Sequence, residues 1–162
     1  MSAPSRVEDL HDQLDRDALL RLNNASARET SLLTPDRFAQ LTDWASVALT
    51  IKPAAALMLA FQQSDAYDGG HFLWFRNRFD TFLYIDRVVV AEQHRRHGLG
   101  RLLYAEVFKR AIEMGHQRVV CEVNLQPPNP VSDRFHAALG FTEVGRAKID
   151  NVKTVRYLAA DL

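Results

Sequence analysis

The chain has 162 residues, 47% of them hydrophobic, and its 20 Lys and Arg balance 20 Asp and Glu to a formal net charge of zero. That balance excludes a strongly basic surface, so neither nucleic acid nor an anionic membrane is expected as a partner. The length suits one domain over residues 1–162, the lone Cys121 excludes an internal disulfide framework, and no signal core or spanning apolar run is read, so a cytoplasmic protein is expected.

Residues 1–14 are polar and hold at most a short first strand. Ala18, Leu19, Leu22 and Ala25 recur at helical spacing and predict a helix over 15–27. Thr34-Pro35-Asp36 has the chemistry of a helix start: a capping hydroxyl, a proline suited to the first turn and an acid that complements the dipole. Val47–Ile51 and Ala55–Phe61 read as an antiparallel hairpin around Lys52-Pro53. After a loop over 62–70, the aromatic-dense run from His71 to Phe79 reads as hydrophobic cover at the domain edge, or as an acceptor-pocket wall or dimer surface.

Phe82–Val90 reads as a buried strand, rich in β-branched residues. Plain alternation puts Tyr84, Asp86, Val88 and Val90 on one face and Ile85, Arg87 and Val89 on the other. Leu102, Leu103, Ala105, Phe108, Ala111 and Ile112 then predict an amphipathic helix. Arg118–Asn124 is the next strand, and the prolines of Gln126-Pro-Pro-Asn-Pro130 fix an extended entry to a short helix capped by Ser132 and ended by Gly140. Phe141–Ile149 and Val152–Leu158 close the sheet as a hairpin over Asp150-Asn151, with Lys148, Lys153 and Arg156 on its exposed face.

The chemistry concentrates between the strand at 82–90 and the helix that follows. Gly98 and Gly100 let an anion approach the backbone, Arg95, Arg96 and Arg101 supply countercharge, and the first N–H groups of a helix lack partners. The turn has neither the Lys-Ser/Thr ending of a P-loop nor the third glycine of a dinucleotide loop, and it is either an anion seat or a plain basic turn. The six histidines lack ligand-like spacing, so no metal is expected, and Cys121 in its apolar run reads as a buried thiol rather than a nucleophile.

Val88-Val-Val90 followed by Arg95-Arg96-His97-Gly98-Leu99-Gly100 resembles the acetyl-CoA-binding core of the GNAT superfamily (Gcn5-related N-acetyltransferases). A second block, Asn124, Asn129, Ser132, Phe135, His136 and Leu139-Gly140-Phe141, follows that family's later pattern in the right order, and together the blocks cover roughly residues 82–145. Leu22-Asn23-Asn24, Glu29-Thr30-Ser31 and Glu122-Val123-Asn124 resemble a bacterial GNAT subgroup, from which Gly69-Gly70-His71 departs.

The resemblance implies an α/β (α+β) fold: a mixed, mostly antiparallel sheet of six to seven strands with about four helices, splayed between the strand at 82–90 and a parallel neighbour around 119–123. It implies acetyl-CoA held by Val88, Val89 and Val90, by the turn Arg95, Arg96, His97, Gly98, Leu99, Gly100 and Arg101, and by Asn124, Asn129, Ser132 and Phe135. Asp86 would receive the amine's proton unless it is only an ion-pair partner of Arg87, with Tyr84 beside it. His136 stands where the family's tyrosine acid usually does; it either protonates the departing thiolate or only packs against the cofactor. Glu29, Thr30 and Ser31 would line the acceptor pocket or form a solvated loop.

The implied activity is N-acetylation of a primary amine on a small molecule or amino acid, by direct attack in a ternary complex. A protein or peptide N-acetyltransferase and a silent acyl-CoA-binding module remain alternatives, and a homodimer is compatible with the sequence.

Overall fold

A computed structural model describes residues 6–13, 15–26 and 30–162. In chain order these form β1 (Val7–Asp9), α1 (Asp17–Ala25), α2 (Pro35–Trp44), β2 (Val47–Ile51), β3 (Ala56–Gln62), α3 (Gly70–Arg76) and β4 (Leu83–Val90). There follow α4 (Leu99–Glu113), β5 (Arg118–Gln126), α5 (Pro130–Ala138), β6 (Thr142–Lys148) and β7 (Thr154–Asp161). The strands make one seven-stranded sheet in the order β1-β2-β3-β4-β5-β7-β6, in which only β4 and β5 run parallel.

β2 is buried at every residue, and β3 at all but its last, because helices cover both faces of the sheet. This is why both read as continuous apolar runs rather than as alternation. On one face, Leu99, Leu103, Val107 and Ala111 of α4 pack against Val47, Met58, Leu83 and Ile85. On the other, Leu19 of α1, Phe38 and Leu41 of α2 and Phe72 and Phe75 of α3 pack against Leu57, Phe61 and Tyr84.

The aromatic run is a helix, α3, and it divides the two roles read for it. Phe72 and Phe75, three residues apart, enter the core beside Phe82 and Tyr84, while His71 turns to the cleft described below. α1 begins at Asp17 rather than 15, because the Asp15 carboxylate accepts the Asp17 N–H at 3.0 Å.

Plain alternation fails along β4. Its ladder with β3 pairs Ile85 with Ala60 and Arg87 with Leu59, so Asp86 is an extra residue with no partner. A bulge of this kind resets the side-chain parity. Val88 and Val90 consequently pack with Ile85 on the α4 face, whereas Tyr84 and Val89 lie on the other. The expectation that Tyr84, Asp86, Val88 and Val90 share a face is overturned by this single inserted residue.

Two further readings are corrected. α5 starts at Pro130, and its N-cap is Asn129, whose Oδ1 accepts the Ser132 N–H at 3.2 Å, so Ser132 lies in the first turn. At the β6–β7 hairpin, Arg156 is not a free surface cation; it pairs with Asp133 and reaches Glu143 at 3.7 Å, and Lys153 lines the cleft.

Candidate active site

β4 and β5 pair only at Leu83↔Val119 and Tyr84↔Val120. Beyond that point they diverge, leaving one edge of β4 without a strand partner and a cleft of about 270 Å³ between them. Asp86, Val88, Cys121, Glu122, Asn124, Asn129, Ser132 and His136 line it, joined by Thr30, His71 and Lys153 at its rim. A second hollow, lined by Val88, Val89, Val90 and Arg95, meets the cleft at Val88 and leads towards the glycine turn.

That turn ends at Gly98, whose φ of +78° is a left-handed conformation that glycine adopts without strain. It caps the fifteen-residue α4 with no side chain, so the N–H groups of the first turn face outwards beside exposed Arg95, Arg96 and Arg101. Leu99 differs from the expectation in part: its side chain is buried in the core, which leaves only its backbone for a ligand. Gly100 lies against Phe135, to which an added Cβ would stand at 3.6 Å.

The acidic part of the cleft holds two carboxylates in different settings. The side chain of Asp86 is 7% exposed, receives the Tyr67 hydroxyl at 2.7 Å and the Arg87 Nε at 2.7 Å, and so realises the ion pair read as its alternative role. Arg87 also donates to Asn23 Oδ1 at 3.0 Å and reaches Ser31 Oγ at 3.4 Å, which ties the α1–α2 segment to β4.

Glu122 is the other carboxylate. It accepts the Tyr84 hydroxyl at 2.9 Å, and no cation is paired with it among the described residues. Desolvation first, and the Asp86 charge second, push its pKa up to about 8. In the sequence Glu122-Val123-Asn124 stands out only as a family signal, and Glu122 is not among the predicted site residues. The signal that marks it is an acid inside an otherwise apolar strand, where an unpaired charge is costly.

His136 is buried, with its Nδ1 2.8 Å from the Ser132 carbonyl oxygen. A carbonyl only accepts, so Nδ1 carries the proton and Nε2 accepts the Tyr104 hydroxyl at 2.7 Å. Burial lowers the imidazole pKa below its ordinary value. Tyr104 itself lines the cleft, although nothing in its sequence neighbourhood marks it; burial raises its phenol. Cys121 is buried and its thiol is pushed up by desolvation, which fits an inert thiol.

Thr30 lines the cleft, and Ser31 lies behind it with its carbonyl held by the Asn23 amide at 2.9 Å. Glu29 lies outside the described residues. His71 bonds the Tyr157 hydroxyl through Nδ1 at 2.9 Å, and Tyr157 stacks on Trp74 with ring centroids 4.0 Å apart.

A family model described as the acetyltransferase (GNAT) family matches residues 24–141. A comparison with curated proteins finds no match. Among solved structures, the chain is similar to the NatC complex bound to Gag peptide and CoA, at 12% identity over 97% of this chain and 96% of that chain, with a TM-score of 0.73. It is similar to the ribosomal-protein-S18-alanine N-acetyltransferase from Escherichia coli, at 15% identity over 96% and 92% of the two chains and a TM-score of 0.69. It is also similar to yncA of Salmonella typhimurium, a structure with acetyl-CoA, at 17% identity over 96% and 92% and a TM-score of 0.68. At these identities the likeness speaks for the fold, while the family match spans both motif blocks and the splay they flank. The chain belongs to the GNAT acetyltransferase family.

Proposed function

We propose that the protein acetylates the primary amine of a small molecule or amino acid by direct transfer from acetyl-CoA in a ternary complex. The observation that carries this reading is the placement of Glu122, with its raised pKa, in the wall of the cleft that opens where β4 and β5 part.

The residues present fit acetyl-CoA. The uncapped N-terminus of α4 and Arg95, Arg96, His97 and Arg101 would hold the pyrophosphate, with Gly98 and Gly100 giving backbone access. The unpaired edge of β4 at Val88, Val89 and Val90 would bond the pantetheine amides, opposite Asn124, Asn129, Ser132 and Phe135. Acetyl-CoA supplies the acetyl thioester.

The chain's own residues then divide the remaining work. A main-chain N–H of β4 near Val88 would polarise the thioester carbonyl and the cleft would position the amine, which are the larger contributions. Glu122 takes the amine's proton; a base with a pKa of about 8 is well matched to an ammonium near neutral pH. Asp86 keeps an electrostatic role, raising Glu122 and attracting the cation, and Tyr84 fixes the Glu122 carboxylate. Tyr104 and His136, joined by their hydrogen bond, would return a proton to the leaving thiolate, and Thr30 and Ser31 would border the acceptor.

Two neighbours act on proteins by their names, the S18-alanine enzyme and the peptide-bound NatC complex, so peptide amines belong in the same assay. Calorimetric titration with acetyl-CoA, CoA and 3′-dephospho-CoA, followed by thiol release with an amine panel, tests the reading. One micromolar site per chain and turnover abolished in Glu122→Gln are expected. Binding without thiol release from any amine overturns catalysis and leaves an acyl-CoA-binding module.

A further inference from the structure

Lys153 stands just before β7, at the rim of the cleft, half-buried. It forms no ion pair among the described residues, although the other partly buried cations near the cleft, Arg87 and Arg156, are both paired. It lines the same cleft as Glu122 and His71, so its ammonium is within reach of a molecule bound there. A lysine left unpaired at the lip of a closing site is a ready partner for an anion.

The charges of the cleft can be sorted by what already neutralises them. Asp86 and Arg87 are a closed pair, 2.7 Å apart, with Tyr67 and Asn23 taking up further valences. That leaves, among the described residues, one unpaired acid, Glu122, which accepts a proton near pH 8, and one unpaired ammonium, Lys153, lining the same cleft of about 270 Å³. His71 lines the same cleft; with Nδ1 engaged by the Tyr157 hydroxyl, its Nε2 has no partner among the described residues. When Nδ1 accepts from Tyr157, Nε2 carries the hydrogen and is a second donor beside Lys153. Burial lowers the His71 pKa, so this donor is neutral at pH 7.

Resting on the acetyltransferase reading, we propose that the acceptor is an amino carboxylate, a molecule whose reacting amine meets Glu122 while its own carboxylate is held by Lys153 with His71. One proton acceptor for the amine and one unpaired cation for the carboxylate match an amino carboxylate. A simple amine leaves Lys153 without a counterion on closure, and a phosphorylated amine brings a dianion to a site with a single cation and two carboxylates nearby. A peptide N-terminus carries its amine without an adjacent carboxylate, so it also leaves Lys153 unpaired.

The test is thiol release from acetyl-CoA with matched pairs: L-α-amino acids, β-alanine and γ-aminobutyrate, each beside the amine of the same skeleton without the carboxylate, and tripeptide amides. At least one amino carboxylate should exceed its decarboxylated partner in kcat/KM by tenfold or more. Lys153→Met should shrink that ratio about tenfold through KM, and Lys153→Arg should restore most of it. Equal rates within every pair, better turnover of tripeptide amides, or a ratio indifferent to Lys153→Met would each overturn the inference while leaving acetyl transfer intact. No turnover across the panel, with acetyl-CoA still bound in calorimetry, would remove the acetyltransferase reading and this inference with it.

Discussion

The Tyr84 hydroxyl lies 2.9 Å from a carboxylate oxygen of Glu122, so the last β4 residue that pairs with β5 reaches across to a residue two places beyond its partner Val120. The contact orients a carboxyl group that burial and the Asp86 charge hold largely protonated up to about pH 8. Tyr84 also has its own pKa raised, first by burial and then by Glu122, so it stays a donor throughout the working range. Tyr84→Phe should leave the sheet intact and lower kcat about tenfold, measured under saturating acetyl-CoA.

Glu122→Gln should lower kcat/KM by about 10²-fold or more and remove an acid limb near pH 8 from the pH profile. The same group governs stability. Its folded pKa lies above the unfolded value of about 4.3, so its favourable contribution is full below that value and is lost as pH rises through about 8. Thermal melts should therefore show Glu122→Gln gaining on the parent protein between pH 5 and pH 9. A constant difference across that range would contradict the assignment.

Asp86→Asn removes a charge that raises Glu122, so the acid limb of the rate profile should move to lower pH. It also leaves the Arg87 guanidinium, 6% exposed at its side chain, without its counterion, and the melting temperature should fall. If Asp86 were itself the base, turnover would vanish with no limb left to shift.

His136→Phe and Tyr104→Phe should each lower turnover, and the double variant should lose little more than either single one, because the two share one hydrogen bond. Affinity for acetyl-CoA, read calorimetrically, should change less than kcat. Fully additive losses would show that the two side chains act separately.

Gly98→Ala should cost about 1–2 kcal/mol of stability, since the backbone there is left-handed although no neighbour obstructs the new methyl group. Gly98→Asp should in addition abolish acetyl-CoA binding by placing a carboxylate at the phosphate seat. Gly145→Ala acts elsewhere: its Cβ would meet the Trp74 ring at 2.5 Å and disturb the stack on Tyr157 that supports His71. Its effect should appear in KM for the acceptor and not in affinity for acetyl-CoA.

The long periodic elements are legible in the amino-acid sequence. β2, β3 and α4 each carry an apolar pattern that the sheet and its covering helix bury, and the glycine turn announces a helix N-terminus by its composition. The parity of β4 is not legible, because a bulge depends on how β3 pairs and leaves no mark in residues 83–90. Lys153 escapes for a related reason: alternation along a hairpin says nothing of which neighbour stands across from its end. Glu122 escapes because its character comes first from burial in the assembled sheet and then from Asp86, 36 positions away in sequence, neither of which a local motif contains.

The segment joining α1 to α2 is secured by side chains rather than by a backbone ladder. Asn24 bonds the Leu33 amide and carbonyl at 2.9 and 3.0 Å, Asn23 bonds the Ser31 carbonyl, and Arg87 clasps Asn23 from β4. These side-chain bonds fix the segment's described ends to α1, α2 and β4 without drawing on the strand register of the sheet. A substitution at Thr30, the described residue of this segment that lines the cleft, therefore reshapes the cleft wall while the asparagine anchors, the β4 register and the α4 N-terminus stay as they are.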